Sequence, residues 1–283
     1  MKTLFWYIYA TDGNQGFLLD LISRPTAAEA RLLCYSPEHL PVVLEEIVPR
    51  EELRIEPNQT GVRLAGLKLD TRGCSGSLGD IHVEARIHQS GRGTTFVPAW
   101  VSRLVGRVPH FSSLYGVLSR GECRGVTYEG VPLVYSTYQV GDLAAAEWIL
   151  VSATYFQGTD LLVEISASRL FGFWAASAYV FFQGQEYKLN SIWDSLAHIR
   201  VVRAGEIIDG RRVFAASIKN AEISLEIEGT APVPQFGMLG QEGTTRIHTT
   251  LFGDCRASIQ TKNSGSDTQT YHASRRCLLE VKS

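Results

Sequence analysis

The chain has 283 residues, 45% of them hydrophobic and 20% charged, a balance that supports a sizeable folded core and excludes an intrinsically disordered chain. Its formal net charge is −2, and its basic residues bunch no further than the pairs Arg211-Arg212 and Arg275-Arg276, so nothing calls for a nucleic acid or an anionic membrane as partner. The five scattered cysteines, Cys34, Cys74, Cys123, Cys255 and Cys277, form no C-x-x-C pair; they signal neither a zinc site nor a disulfide framework and fit reduced thiols in a cytoplasmic protein.

The opening MKTLFWYIYATDGNQGF starts inside a strand pattern, turns at TDGN, and lacks the apolar stretch and cleavage site of a secretory signal. RPTAAEARLL, at 24–33, fits a helical turn or two or a hairpin connection, and in SPEHLPVVLEEI, at 36–47, Pro41 limits any helix to the residues after it. EPNQTG at 56–61 is a turn, and GCSGS at 73–77 reads as a hairpin turn. In IHVEARIHQ the residues Ile81, Val83, Ala85 and Ile87 point one way and His82, Glu84, Arg86 and His88 the other, a half-exposed strand that ends at the turn QSGRG, 89–93.

A Pro- and Trp-containing connection, FVPAWVSRLVGRVPHFSSLYG, leads to the hairpin GECRGVTYEGVPLVYSTY. GDLAAAEW then places Asp142 as an N-cap before three alanines, a short helix that marks a boundary between halves 1–140 and 141–283. New strands begin at WILVSATYF. LFGFWAASAYVFF, at 170–182, is uncharged and rich in aromatic residues, but Arg169 and Gln183 end it short of the about 20 apolar residues of a transmembrane helix. It reads as one or two strands bent at Gly172, in which Phe171 and Phe173 share one face, as do Tyr179 and Phe181. SIWDSLAHI, from Ser191, is a second helix candidate, and AEISLEIEG repeats the alternating strand design. With further turns at FQGTD, FQGQ, IDGRR and KNSGSDT, the whole reads as an all-β chain of many short antiparallel strands, a sandwich or barrel.

Several chemistries find no motif. The chain lacks a G-x-S-x-G elbow, a G-x-x-x-x-G-K-[ST] loop, a G-x-G-x-x-G fingerprint, and any H-x-H or H-E-x-x-H metal pattern. The expectation is therefore no cofactor and no metal.

The segment from GVTYEG through VYSTYQVGDLAAAEWILVSATYFQGTDLLVEIS resembles the middle of the lipocalin-like double-barrel superfamily that contains hydroxyneurosporene synthase, tocopherol cyclase and fungal Diels–Alderases. In that group an aromatic-bearing strand leads through a short turn or helix to an acidic or polar residue beside a tryptophan that opens the second barrel; Tyr135, Tyr138, Asp142 and Glu147-Trp148 hold those places here. VRLAGLKLDTRGCSGSLGDIHVEARI is similar to the preceding strands, and Trp193 with GRRVFAASIKNAEISLEIEGTA to the later ones. The resemblance implies two lipocalin-like antiparallel barrels with an apolar pocket at or near their interface, acting on polyenes, isoprenoids or other hydrophobic chains.

Protonating an alkene needs one acid in a dry cavity and aromatic faces that stabilise a cation, whereas a pericyclic closure needs mainly a shaped wall. Candidate catalytic residues are Asp142, Glu147, Asp194 and His110. Their structural alternatives are a helix cap for Asp142, a solvated helix residue for Glu147, and a hydrogen-bonded loop residue for His110. Candidate substrate-binding residues are Tyr135, Tyr138, Trp148, Phe171, Phe173, Trp174, Tyr179 and Trp193, with core packing as the alternative. The expected function is a cofactor-independent cyclase, isomerase or hydratase for a hydrophobic polyene or terpenoid-like molecule, and its alternative is a carrier or sensor of a lipid or pigment. The expected partner is that hydrophobic small molecule, with no nucleic acid and no integral membrane span.

Overall fold

The computed structural model describes residues 3–12, 14–36, 39–56, 61–96, 110–140, 147–170, 172–191, 193–233, 237–242, 245–262 and 267–282, which are mainly β-strand. Packing divides the chain into two units, Met1–Thr95 with Ser102–Asp142, and Phe96–Val101 with Leu143–Ser283.

Unit 1 runs through β1 (Thr3–Thr11), β2 (Gly16–Ser23), β3 (Ala27–Ser36), β4 (His39–Pro49), β5 (Arg54–Ile55), β6 (Val62–Leu64), β7 (Leu67–Asp70), β8 (Gly73–Leu78), β9 (Ile81–Phe96), β10 (His110–Cys123), β11 (Val126–Tyr128) and β12 (Pro132–Val140). They form one sheet in the order β4-β3-β2-β1-β12-β10-β9-β8-β7-β6-β5, with β11 folded back on β10. Strict alternation builds the core: Trp6, Ile8 and Ala10 of β1 and Phe17, Leu19 and Leu21 of β2 face inward, while Phe5, Tyr7 and Tyr9 take the other face. The sheet curls so that β3 and β4 approach β8 across this core.

The turns follow from side-chain chemistry. Asp12 Oδ1 accepts from the backbone N–H groups of Asn14 (2.8 Å) and Gln15 (2.9 Å), closing the β1–β2 loop. Between β10 and β11, Arg124 (φ 55°) and Gly125 (φ 75°) form a two-residue turn with both residues left-handed, the geometry that matches strand twist.

Five expectations are corrected. RPTAAEARLL and SPEHLPVVLEEI are not helical: Ala28, Ala30, Leu32 and Cys34 alternate into the core from β3, and β4 pairs beside it, with Pro41 on the terminal strand where a missing N–H costs least. GCSGS is strand β8, not a turn, and the turn lies before it, where Asp70 Oδ1 accepts from Arg72 N (2.7 Å). QSGRG lies within β9, which continues to Phe96 beside the 14-residue β10. His110 begins β10, opposite Gln139, rather than sitting in a loop.

Unit 2 contains β13 (Trp148–Ala153), β14 (Leu162–Leu170), β15 (Phe173–Phe182), β16 (Gln185–Leu189), β17 (Ile199–Ile208), β18 (Arg211–Lys219), β19 (Ile223–Pro232), β20 (Gly237–Glu242), β21 (Thr245–Thr261) and β22 (Gln269–Lys282). Their order is β16-β15-β14-β13-β22-β21-β19-β18-β17, with β20 on β21. Ile149, Val151, Ile165, Val180, Phe182, Phe214, Leu225, Ile259 and Leu279 contribute to its core. SIWDSLAHI yields a single π-helical turn, Asp194–His198, ahead of β17. Ser195 Oγ of that turn accepts from Ala176 N on β15 (2.8 Å), which ties the curled sheet across its open side. The helix expected over GDLAAAEW falls mostly on 141–146, outside the described residues. Among the described residues no helix is long and apolar enough to cross a membrane.

Candidate functional site

In an antiparallel pair, residues directly opposite each other lie on the same face. In unit 2 this register assembles a polar layer on the sheet face opposite the apolar core. Ser152, Glu164 and Tyr179 stand in one row across β13, β14 and β15. Thr249, Glu280, Leu150, Ser166 and Ser177 make the next row, across β21, β22, β13, β14 and β15. Trp148 and Ser168 follow in the third. Trp148, Glu164 and Tyr179 are fully buried and Glu280 is 4% exposed.

A buried carboxylate is tolerated only with hydrogen-bond donors around it, and both carboxylates of this layer have them. Trp148 Nε1 donates to Glu280 Oε1 (2.9 Å) and Thr249 Oγ1 donates to Glu280 Oε2 (3.0 Å). Ser152 Oγ donates to Glu164 Oε2 (3.2 Å). At the edge of the layer Tyr179 OH donates to Glu186 Oε1 (2.7 Å), and Glu186 Oε2 pairs with Lys188 Nζ (3.0 Å). Glu164 and Glu280 are separated by one strand and one row, about 12 Å between Cα atoms from strand spacing and rise. Two acids, an indole and a phenol thus share one sheet face away from water.

Unit 1 has its own buried polar layer. Tyr7, Asp20 and Arg31 stand in register across β1, β2 and β3, and continue to Glu45 on β4. Arg31 Nη2 pairs with Glu29 Oε2 (2.7 Å) and Glu45 Oε1 (3.0 Å), and Arg24 pairs with Glu29. Arg31 and Glu29 are each 6% exposed, and their pairing offsets the cost of burying the two charges, although among the described residues Arg31 Nη1 has no hydrogen-bond partner.

Of the residues singled out in the sequence, the structure brings Trp148 and Tyr179 into the unit 2 layer. Glu147 stands at the surface, paired with Arg169 Nη1 through Oε2 (3.0 Å). Asp194 Oδ2 accepts from Ser191 N (3.0 Å) and Ser191 Oγ (2.6 Å), bracing the π-helical turn. Trp193 is 73% exposed and Phe173 47%, while Trp174 is half-buried against the unit 2 core. Tyr135 pairs with Ile8 and Leu114, and Tyr138 with Phe5 and Phe111; the side chains of these two tyrosines and of His110 lie outside the described residues, as do Asp142 and Phe171 entirely. Glu164 and Glu280 were missed. Each is a single carboxylate within an apolar strand run, LLVEIS and CLLEVK, a pattern that a strand with one wet face also shows.

No family profile and no curated protein matches the sequence. Solved structures do match in fold. A crystal structure of CghA with Sch210972 superposes with a TM-score of 0.59 at 9% identity, covering 99% of this chain and 87% of that one. A second crystal structure, of CghA, gives the same values. Kievitone hydratase from Nectria haematococca matches with a TM-score of 0.55 at 11% identity, covering 99% of this chain and 88% of that one. The chain shares the all-β, lipocalin-like fold of these proteins.

Proposed function

We propose that this protein is a cofactor-independent enzyme of the cyclase, isomerase or hydratase type, acting on a hydrophobic polyene or terpenoid-like substrate. The observation that carries the reading is the pair of buried carboxylates, Glu164 and Glu280, on the sheet face that also bears Trp148 and Tyr179. Adding or removing a proton at a carbon–carbon double bond asks for an acid or base shielded from water and for groups that stabilise the transient cation. Glu280, accepting on both oxygens, supplies fixed electron density toward that cation. The Trp148 ring adds its negative quadrupole face. Glu164, oriented by Ser152, transfers the proton. The fold shared with a hydratase supports this class of chemistry.

The test is turnover of a panel of polyenes and terpenoids by the full-length protein and by Glu164→Gln, Glu280→Gln, Asp142→Asn and His110→Asn. Loss of a general acid–base group lowers the rate by about 10²–10⁴-fold, and the expectation is a loss of that order for Glu164→Gln with substrate still bound. Binding of a panel member without turnover by the wild-type protein makes it a carrier of a lipid or pigment instead.

A further inference from the structure

Strands β17, β18, β19 and β21 turn one face away from the unit 2 core, and on that face lies an open groove of about 530 Å³, a volume in the range of small-molecule sites. Register explains its shape. Arg200, Ser217, Glu226 and Ser258 stand in one row across the four strands, and Ala215, Glu228 and Arg256 in the next. The small side chains of Ala215 and Ser217 leave a low floor along β18, between two walls. One wall is β17, where the pairing skips Val202 between Val201 and Arg203. A bulge of this kind bends its strand and re-aims the extra side chain; Val202 lines the groove and is 56% exposed. The other wall is β19, on which Glu226 and Glu228 lie about 7 Å apart along the strand.

The charges of this groove are sorted by sign. Arg200 faces the two carboxylates across β18, about 10 Å from Glu226 between Cα atoms by strand spacing. Arg256 is directly opposite Glu228, a position from which opposite charges can pair. Yet among the described residues the side chains of Arg200, Glu226, Glu228 and Arg256 have no ion-pair or hydrogen-bond partner. Elsewhere on unit 2 surface charges do close into pairs, Glu147 with Arg169, Glu186 with Lys188 and Asp254 with Arg211. Here acids and bases stand within reach of one another and leave the groove open between them.

We propose that this groove binds a small zwitterion, a molecule that carries a primary ammonium and, a few bonds away, a carboxylate or phosphate. An ammonium donates three hydrogen bonds, and Glu226 and Glu228 accept them from one wall. The anionic group lies across the β18 floor against Arg200, whose planar donors suit carboxylate and phosphate alike. Arg256, beside Glu228, repels a second ammonium and so selects a zwitterion over a diamine. The groove shares no residue with the acid layer around Glu164 and Glu280, so the proposal stands apart from the chemistry assigned to that layer.

The test follows the amide spectrum of isotope-labelled full-length protein during titration with two zwitterions, alanyl-alanine for a peptide source and glycerophosphoethanolamine for a lipid-headgroup source. The expected result is saturable shifts on β17, β18 and β19 with at least one of them, and the tighter ligand names the source. Compounds that keep one charge, N-acetyl-alanyl-alanine and alanyl-alanine amide or glycerol phosphate and ethanolamine, should bind at least about threefold more weakly, the scale of an exposed ion pair. Arg200→Ala and Glu226→Gln should each weaken the zwitterion by a similar factor, and Lys219→Ala, at the end of β18 and outside the groove, should not. All three side chains are exposed, and thermal melts check that the variants fold. Shifts that never saturate or that fall outside the groove, single-charge compounds that bind as tightly as the zwitterions, or an unchanged affinity in Arg200→Ala and Glu226→Gln would each overturn the proposal and leave a solvated sheet face.

Discussion

Trp148→Phe keeps an aromatic ring in place but removes the indole N–H, so Glu280 Oε1 loses a donor while remaining buried. An unsatisfied buried acceptor costs about 1–3 kcal/mol, and urea denaturation of the variant should show a loss of that size with an unchanged m value. Asp70 makes a pH-dependent prediction. Burial alone would raise its carboxyl, yet hydrogen bonds from Lys68 and the Arg72 backbone, with the Lys68 charge, outweigh it and hold the carboxyl below its ordinary value. A depressed folded-state value means the group stabilises the fold above the unfolded value, about pH 4, and that this contribution fades as pH falls through the folded value. Asp70→Asn should therefore be less stable than wild type at pH 7, with the gap narrowing below about pH 4; thermal melts across that range check it. Trp148 and Tyr179 were legible because large aromatics in apolar strands draw the eye. Glu164 and Glu280 were not, because nothing local distinguishes a buried strand carboxylate from a solvated one.

Strand β8 shows what an element conceals. Its glycines suggested a turn, but they serve close approach of neighbouring backbone: a Cβ on Gly73 would lie 1.7 Å from the Ala85 carbonyl oxygen. Gly125, in a real turn, has nothing within 4 Å of its Cβ position. Gly73→Ala should thus cost more than about 2 kcal/mol, from clash and strain together. Gly125→Ala should cost about 1–2 kcal/mol, the left-handed penalty alone. Chemical denaturation of both variants tests the ordering, and equal losses would contradict it. Strands with one wet face, such as those holding IHVEARIHQ and AEISLEIEG, announce themselves by alternation. β3 does not, because its Ala, Glu, Arg and Leu are good helix formers and both of its faces are buried, so pairing with β2 and β4 overrides local preference.

For the molecule as a whole, two curled antiparallel sheets are what alternation and closely spaced turns specify, and many sequences meet that specification. Likeness to CghA and kievitone hydratase at 9–11% identity is the consequence. The site obeys a stricter rule. Trp148 meets Glu280, 132 residues later, because β13 pairs with β22, and the order of strands in a sheet cannot be read from turn spacing. That is why the architecture was visible in the sequence and its buried acid layer was not. The most direct measurement of the proposed chemistry is turnover of polyenes and terpenoids in deuterated water, wild type against Glu164→Gln. The account predicts a product carrying deuterium at the protonated carbon from the wild type, and loss of at least about 10²-fold in rate for the variant. Equal rates for the two proteins, or a bound and unchanged ligand in both, would contradict it.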